Sequence, residues 1–365
     1  MEHLVSENIR RLIPYPPGKP LEELEREYGI KGSIKLASNE NPLGPSPKAV
    51  EAIKKALGKL HRYPDGSGYY LRRRLSEKFD LPFDGIVLGN GSNEIIDLLI
   101  RTFLTPEDEV IVTEPSFLVY RLMVQAIGGE PISVPLKNFA LDLNDVLEKC
   151  TDKTKIVFLN NPNNPTGSTI TAEEFRSFFQ KLPSSTIVVL DEAYIEFVRQ
   201  NDVVKGFEYV GNEGPFVVTL RTFSKAYGLA GLRIGYGAMH PLLADYINRV
   251  RQPFNANSLA QIGALAALDD EDFMKETQKT VWEGLGYLYS EVEKMGLEYV
   301  PSEANFFLIR VNRDAKEIYE AMLRKGVIVR AMNAYGLPDY IRVNVGKPEE
   351  NERFVSAFRE VMGLA

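Results

Sequence analysis

The chain has 365 residues, 44% of them apolar, and carries 43 lysines and arginines against 50 aspartates and glutamates, a formal charge of −7. That length suits two domains, or one large α/β unit with a smaller satellite. The mixed, slightly acidic balance argues against a binder of duplex nucleic acid, which presents a basic face. One cysteine, Cys150, excludes an internal disulfide, and the scattered His3, His61 and His240 lack metal-ligand spacing, so no metal is expected. The first eleven residues lack the apolar run of a signal peptide, and no stretch approaches the roughly 20 apolar residues of a membrane span. A reducing, cytoplasmic setting with no membrane partner is the expectation.

Along the chain, Pro14, Pro16, Pro17 and Pro20 stand within seven residues, which predicts an extended arm. A short charged helix follows at about Leu21–Tyr28, then an irregular Ser38–Pro45 and a helix around Pro47–Leu60. From about residue 85 short apolar runs alternate with amphipathic ones. The runs are Ile86–Leu88, Val110–Thr113, Ile132–Val134, Ile156–Leu159, Ile187–Leu190, Phe216–Leu220 and Ile234–Ala238. Helical patterns such as Asn93–Leu104 and Ala172–Lys181 lie between them. This is the pattern of an α/β fold, a mostly parallel seven-stranded sheet covered by helices on both faces. Beyond about 270 come long helical stretches, a strand near Asn305–Ile309, a helix near Ala315–Lys325, strands at Val327–Arg330 and Tyr340–Asn344, and a closing helix. The expected division is an arm over 1–45 packing with the small domain, a large domain over 46–265 and a smaller α+β domain over 266–365.

Ligands of such sheets gather beyond the carboxyl ends of the strands, and four polar clusters fall there. Lys225, among small and apolar neighbours, would be desolvated. A desolvated amine is neutral at lower pH and can form a Schiff base or abstract a proton; a surface lysine before a helix is the alternative. Asp191 ends a buried run and needs a cationic or hydrogen-bonding partner. A protonated pyridine nitrogen of pyridoxal 5′-phosphate (PLP) would suit it, with a helix N-cap as the bland reading. Tyr194 would reach that cofactor's phenolic oxygen, or is a packed aromatic. Gly91-Ser92-Asn93 opens a helix, so its free N–H groups form an anion site for the phosphate, with Ser224 and Arg233 as hydroxyl and guanidinium. The third glycine of a dinucleotide loop and the lysine of a P-loop are both missing. Asn164, in a loop forced out of helix by Pro162 and Pro165, would donate to the same phenolic oxygen, or is a turn asparagine. Phe117 would stack on the pyridine ring, or belongs to the core.

These residues resemble the fold-type I PLP enzymes, specifically the class I/II aminotransferases and their histidinol-phosphate branch. The resemblance runs essentially end to end. It rests on Tyr15-Pro16-Pro17-Gly18-Lys19-Pro20, Leu36-Ala37-Ser38-Asn39-Glu40-Asn41-Pro42, Arg62-Tyr63-Pro64-Asp65, Asn161-Pro162-Asn163-Asn164-Pro165-Thr166-Gly167, Asp191-Glu192-Ala193-Tyr194 and Thr222-Phe223-Ser224-Lys225.

The resemblance implies that Lys225 carries PLP as an aldimine and shuttles a proton, Asp191 pairs with the pyridinium nitrogen, and Asn164 and Tyr194 bond the phenolic oxygen. Ser92, Asn93, Thr222, Ser224 and Arg233 would hold the phosphate. Tyr63 would reach the cofactor phosphate of a neighbouring subunit, making a homodimer obligatory. Phe117 departs from the tyrosine common in close relatives, which keeps stacking but loses a hydroxyl. Arg342, assisted by Arg330, would grip the substrate's phosphate, or the 2-oxoglutarate carboxylate in the return half-reaction. Tyr15 and Asn39 complete the implied substrate pocket. The implied reaction converts L-histidinol phosphate and 2-oxoglutarate to imidazole-acetol phosphate and glutamate, in histidine biosynthesis. Aminotransfer from aromatic or other amino acids, and PLP-dependent decarboxylation of an amino-acid phosphate, are the rival chemistries on this scaffold. A PLP-sensing regulator would need an attached DNA-binding module, for which the span of the resemblance leaves no room.

Overall fold

Runs rich in valine, isoleucine and leucine fold as strands buried on both faces when helices cover the sheet; all seven expected runs form strands here, and only the edge strand Pro131–Pro135 is left largely half-exposed. The computed structural model describes residues 2–364. Its central sheet runs Ile86–Gly89, Gly235–Ala238, Phe216–Thr222, Ile187–Asp191, Thr154–Asn160, Glu109–Glu114, Pro131–Pro135 from edge to edge. Only Gly235–Ala238 is antiparallel to its neighbours; the other pairings are parallel. The central strand Ile187–Asp191 is buried at every residue. Helices Ser92–Phe103, Val119–Ala126 and Pro241–Val250 pack residues such as Ile95, Val124 and Leu243 into one core cluster with strand residues of this sheet. Helix Ala172–Phe179 contributes Phe175 and Phe178 to a second.

The C-terminal part is built on a four-stranded sheet in the order Arg330–Ala331, Tyr340–Asn344, Phe306–Arg310, Tyr299–Val300. Helices Glu271–Lys294, Ala315–Arg324 and Pro348–Met362 cover it, with Leu288, Ile318, Phe354 and Phe358 fully buried. The expected strand Val327–Arg330 is in fact two. Val327–Ile328 pairs in parallel with Ile34–Lys35, whereas Arg330–Ala331 pairs with Tyr340–Asn344. The chain changes partner at Val329, because the arm needs an edge to dock on while the larger sheet needs its own edge strand. The expected Pro47–Leu60 helix is α-helical to Ala56 and tightens into a 3-10 turn over Leu57–Lys59.

The arm divides its contacts. Leu24, on helix Leu21–Tyr28, packs with Leu323 and Ile328 of the C-terminal part. Helix Glu7–Arg11 instead meets helix Val119–Ala126, where Asn8 Nδ2 donates to the Ala126 carbonyl at 2.8 Å. That contact caps free carbonyls at the end of a helix belonging to the large sheet, so the whole arm does not follow the C-terminal part. Among the described residues no helix is long and apolar enough to cross a membrane.

Candidate active site

The carboxyl ends of Thr154–Asn160, Ile187–Asp191 and Phe216–Thr222 lie side by side, with Asn160 registered against Asp191 and Asp191 against Leu220. They open into a cavity of about 460 Å³, lined also by the arm and by Arg330 and Arg342 of the C-terminal sheet. Fourteen of the fifteen residues singled out from the sequence line this cavity; Tyr63 is the exception.

Lys225 sits just past strand Phe216–Thr222, and its Nζ donates to the Ser38 carbonyl at 2.9 Å. Desolvation, reinforced by the nearby Arg342, lowers its pKa to about 7. The lysine is therefore poised to be neutral near physiological pH, the form that attacks a carbonyl or takes a proton. The same shift weakens the fold. As pH falls from lysine's ordinary 10.5, the unfolded chain takes up a proton before the folded one does. The penalty therefore grows down to about pH 7 and is fully present below it. Apoprotein carrying Lys225→Met is accordingly expected to melt roughly a few degrees above the unsubstituted apoprotein near pH 6.5, the gap closing towards pH 10; thermal melts across pH check this.

Asp191 is buried. It accepts from the Tyr120 hydroxyl at 2.6 Å and from the Ala193 N–H at 3.2 Å, but pairs with no cation among the described residues. Burial pushes its carboxyl up to about 6, against the lowering effect of those two donors. A protonated ring nitrogen is the partner that would return it to the charged form. Tyr120 is itself buried and stacks on Phe158 at 4.7 Å. Sequence reading does not single it out; its only signal is an aromatic three residues beyond Phe117. Phe117 stands edge-on to both Tyr120 and Tyr15 on the cavity wall.

Tyr194 directs its hydroxyl towards two amides: Asn39 Nδ2 donates to it at 3.0 Å and Asn164 Nδ2 at 3.4 Å. Asn164 is held in turn by Asn160, whose Oδ1 accepts its backbone N–H at 2.7 Å, and by Arg342, which donates to its Oδ1. At the other end of the cavity Ser92 and Asn93 begin helix Ser92–Phe103, preceded by Gly91 at φ 79°. A side chain at Gly91 would put Cβ 2.5 Å from the Arg233 guanidinium, so glycine is what lets that cation lie against the helix start. Arg233 Nη1 donates to Ser224 Oγ at 3.3 Å, and the Ser224 N–H donates to Thr222 Oγ1 at 3.1 Å. Free helix N–H groups, two hydroxyls and a guanidinium with no carboxylate partner among the described residues form an anion cradle suited to a phosphate.

On the opposite wall Arg330 and Arg342 are direct cross-strand partners. Like charges so placed repel, and neither makes an ion pair with a carboxylate among the described residues. Arg342 is buried. It donates to the Ala37 carbonyl at 2.8 Å, lies over the Phe306 ring at 5.0 Å, and leaves Nε without a partner. Arg330 is half-buried, donates to the Pro16 carbonyl at 2.5 Å and lies 5.8 Å from the Tyr15 ring. Two uncompensated guanidinium groups facing one cavity define a site for a multiply charged anion. Tyr63, in contrast, is 83% exposed and stacks on Phe254 at 4.9 Å, away from its own cavity.

A desolvated lysine, a buried carboxylate lacking a cation among the described residues and a phosphate cradle, all at the carboxyl ends of the central strands, define a PLP-dependent enzyme. Comparison with known proteins makes the class specific. The family described as "Aminotransferase class I and II" matches residues 31–358. A histidinol-phosphate aminotransferase of Desulfotalea psychrophila is 48% identical over 360 residues, 98% of this chain and 95% of that protein. One from Moorella thermoacetica is 45% identical, covering 98% and 92%. Among solved structures, histidinol-phosphate aminotransferase from Sinorhizobium meliloti in complex with pyridoxal 5′-phosphate superposes with a TM-score of 0.91 at 30% identity, over 99% of this chain and 98% of that one. The chain belongs to the class I and II aminotransferases; it is a PLP-dependent transaminase with the fold-type I architecture.

Proposed function

We propose that this aminotransferase takes its amino group from L-histidinol phosphate and passes it to 2-oxoglutarate, giving imidazole-acetol phosphate and glutamate in the cytoplasm. The observation that carries the reading is the Arg330–Arg342 pair, facing each other across a register position with no carboxylate between them. A phosphate or a carboxylate placed there receives planar forks from both sides. PLP supplies the electron sink that makes a Cα–H bond of the donor acidic; the rest is done by the chain. Ser92, Asn93, Thr222, Ser224 and Arg233 would hold the cofactor phosphate, Asp191 would keep its ring nitrogen protonated, and Phe117 would offer its ring as a packing face. Tyr194 and Asn164 donate to its phenolic oxygen. Lys225 would be the residue that carries the cofactor, and its neutral amine would take and return the proton. Tyr15 and the proline-rich arm line the mouth of the cavity.

Within this reading the chain divides into an arm (1–45), a large cofactor-binding domain (46–265) and a small domain (266–365). It works as a homodimer in which Tyr63, stacked on Phe254 at the exposed surface, completes the partner subunit's phosphate site. Tyr63→Ala and Lys225→Ala proteins, each poorly active alone, are expected to regain activity when mixed and allowed to exchange subunits. Random exchange gives about a quarter of the sites a native set of both residues. Activity that stays at the sum of the separate proteins would place Tyr63 in its own subunit's chemistry.

The donor assignment is tested by comparing kcat/KM for L-histidinol phosphate with that for L-histidinol. Loss of the phosphate should lower it by about 10²–10³-fold, the worth of two charge-assisted hydrogen bonds. Near-equal values, or a preference for phenylalanine, would point to an aromatic or broad-range donor instead.

A further inference from the structure

Asn39 stands at φ 55°, a left-handed conformation that asparagine tolerates better than most side chains. The turn it makes places three consecutive residues on three working groups. The Ala37 carbonyl accepts from Arg342, the Ser38 carbonyl from Lys225 Nζ, and the Asn39 amide donates to Tyr194. Asn39 is itself pinned from behind, its N–H donating to Asn344 Oδ1 at 3.1 Å and its carbonyl accepting from Asn305 Nδ2 at 3.1 Å. Its side chain is 1% exposed and its Oδ1 has no hydrogen-bond partner.

A tyrosine hydroxyl has two acceptor sites and one proton. At Tyr194 both acceptor sites are taken, by Asn39 Nδ2 and Asn164 Nδ2. The orientation of Asn164 is set by Arg342, a pure donor that must face Oδ1. Turning the Asn39 amide over would satisfy Oδ1 with the tyrosine proton but leave both of the amide's buried N–H groups without a partner, where one is bonded now, and an orphaned N–H is the rarer state in folded proteins. In the arrangement observed, the Tyr194 proton has no acceptor among the described residues and is left to point into the cavity.

We propose that Asn39 is a positioning residue, which aims the Tyr194 hydroxyl proton at the cofactor, and is not a substrate ligand. The proposal rests on the reading above that Tyr194 faces the cofactor's phenolic oxygen. Asn39 enters from outside the large sheet, so this donor's direction depends on the arm segment being seated.

The test is an absorbance titration against pH of the PLP-loaded protein, in unsubstituted form and as Asn39→Gly, Tyr194→Phe and the double variant. A hydrogen bond donated to the phenolic oxygen favours its deprotonated form and makes the lysine-linked nitrogen hold its proton less tightly. Tyr194→Phe is therefore expected to raise the titration midpoint. Asn39→Gly, which keeps the left-handed turn and removes only the amide, is expected to raise it by a smaller amount, about 0.5 pH unit. The double variant should match Tyr194→Phe alone, and KM for the amino donor in Asn39→Gly should stay within about twofold. Asn39→Ala should move the midpoint as glycine does, with a lower melting temperature from the strained turn. An unmoved midpoint in Asn39→Gly, or a shift that persists in full without the tyrosine hydroxyl, would overturn the proposal. A tenfold rise in KM with the midpoint unchanged would make Asn39 a substrate ligand after all. If Tyr194→Phe itself leaves the midpoint unmoved, the reading of Tyr194 fails, and that of Asn39 with it.

Discussion

Lys225→Ala should lower kcat/KM by on the order of 10⁴-fold, the upper end of what a positioned proton-transfer group contributes, while leaving a folded protein that still takes up PLP. Among the described residues that line the cavity, nothing else is placed to substitute. The other cations that line it are arginines, which do not lose a proton in the accessible pH range, and Tyr194 is buried with its pKa raised by desolvation. The phosphate cradle at Ser92, Ser224 and Arg233 and the carboxylate of Asp191 are untouched by the substitution. Cofactor retention without turnover would thus separate Lys225's chemical part from the binding parts, and equilibrium dialysis beside a coupled assay for glutamate reads both. Retention of more than about a hundredth of the activity would mean that another group moves the proton.

Arg342→Ala is expected to cost about 3–4 kcal/mol of transition-state binding, or 10²–10³-fold in kcat/KM, felt by both the amino donor and 2-oxoglutarate. Steady-state kinetics for the two half-reactions should show it mainly as a raised KM. Arg330→Ala should do less, because that guanidinium is half-buried and already spends one donor on the Pro16 carbonyl. The loss at Arg342 falls on catalysis more than on folding. In the apoprotein it is a buried cation with no carboxylate partner, an arrangement that costs stability until an anion arrives. A variant that unfolds in the cold room, or that loses activity towards only one substrate, would contradict this assignment.

Much of the fold is legible in the chain because parallel strands buried on both faces must be continuous apolar runs, and Ile187–Leu190 or Ile156–Leu159 can be little else. The polar clusters that follow those runs mark the site for the same reason: ligands collect where the strands end. Periodicity says less about helix Ser258–Leu268, whose alanines and leucines spread over every face. It also cannot see that Val327 to Arg330 serves two sheets, because the choice of partner is made by Ile34–Lys35, some 290 residues away.

Within the site, residues whose chemistry is carried by their own side chain are visible, Lys225 and Asp191 foremost. Those whose part is set by register or backbone are not. The opposition of Arg330 and Arg342 appears only once the strands are paired. The Tyr120 hydroxyl on Asp191 and the Ser38 carbonyl on Lys225 depend on segments brought together from 71 and 187 positions apart. Asn39 is visible as part of a motif, but its burial, and hence its bond to Tyr194, is a property of the packed structure.

The most direct test of the account is the absorbance of the PLP-loaded protein while L-histidinol phosphate is added in the absence of any keto acid. The yellow band of the lysine-bound cofactor is expected to bleach to the colourless amine form, in proportion to the donor added, while phenylalanine at equal concentration leaves it largely in place. A yellow band that persists with L-histidinol phosphate would contradict the account.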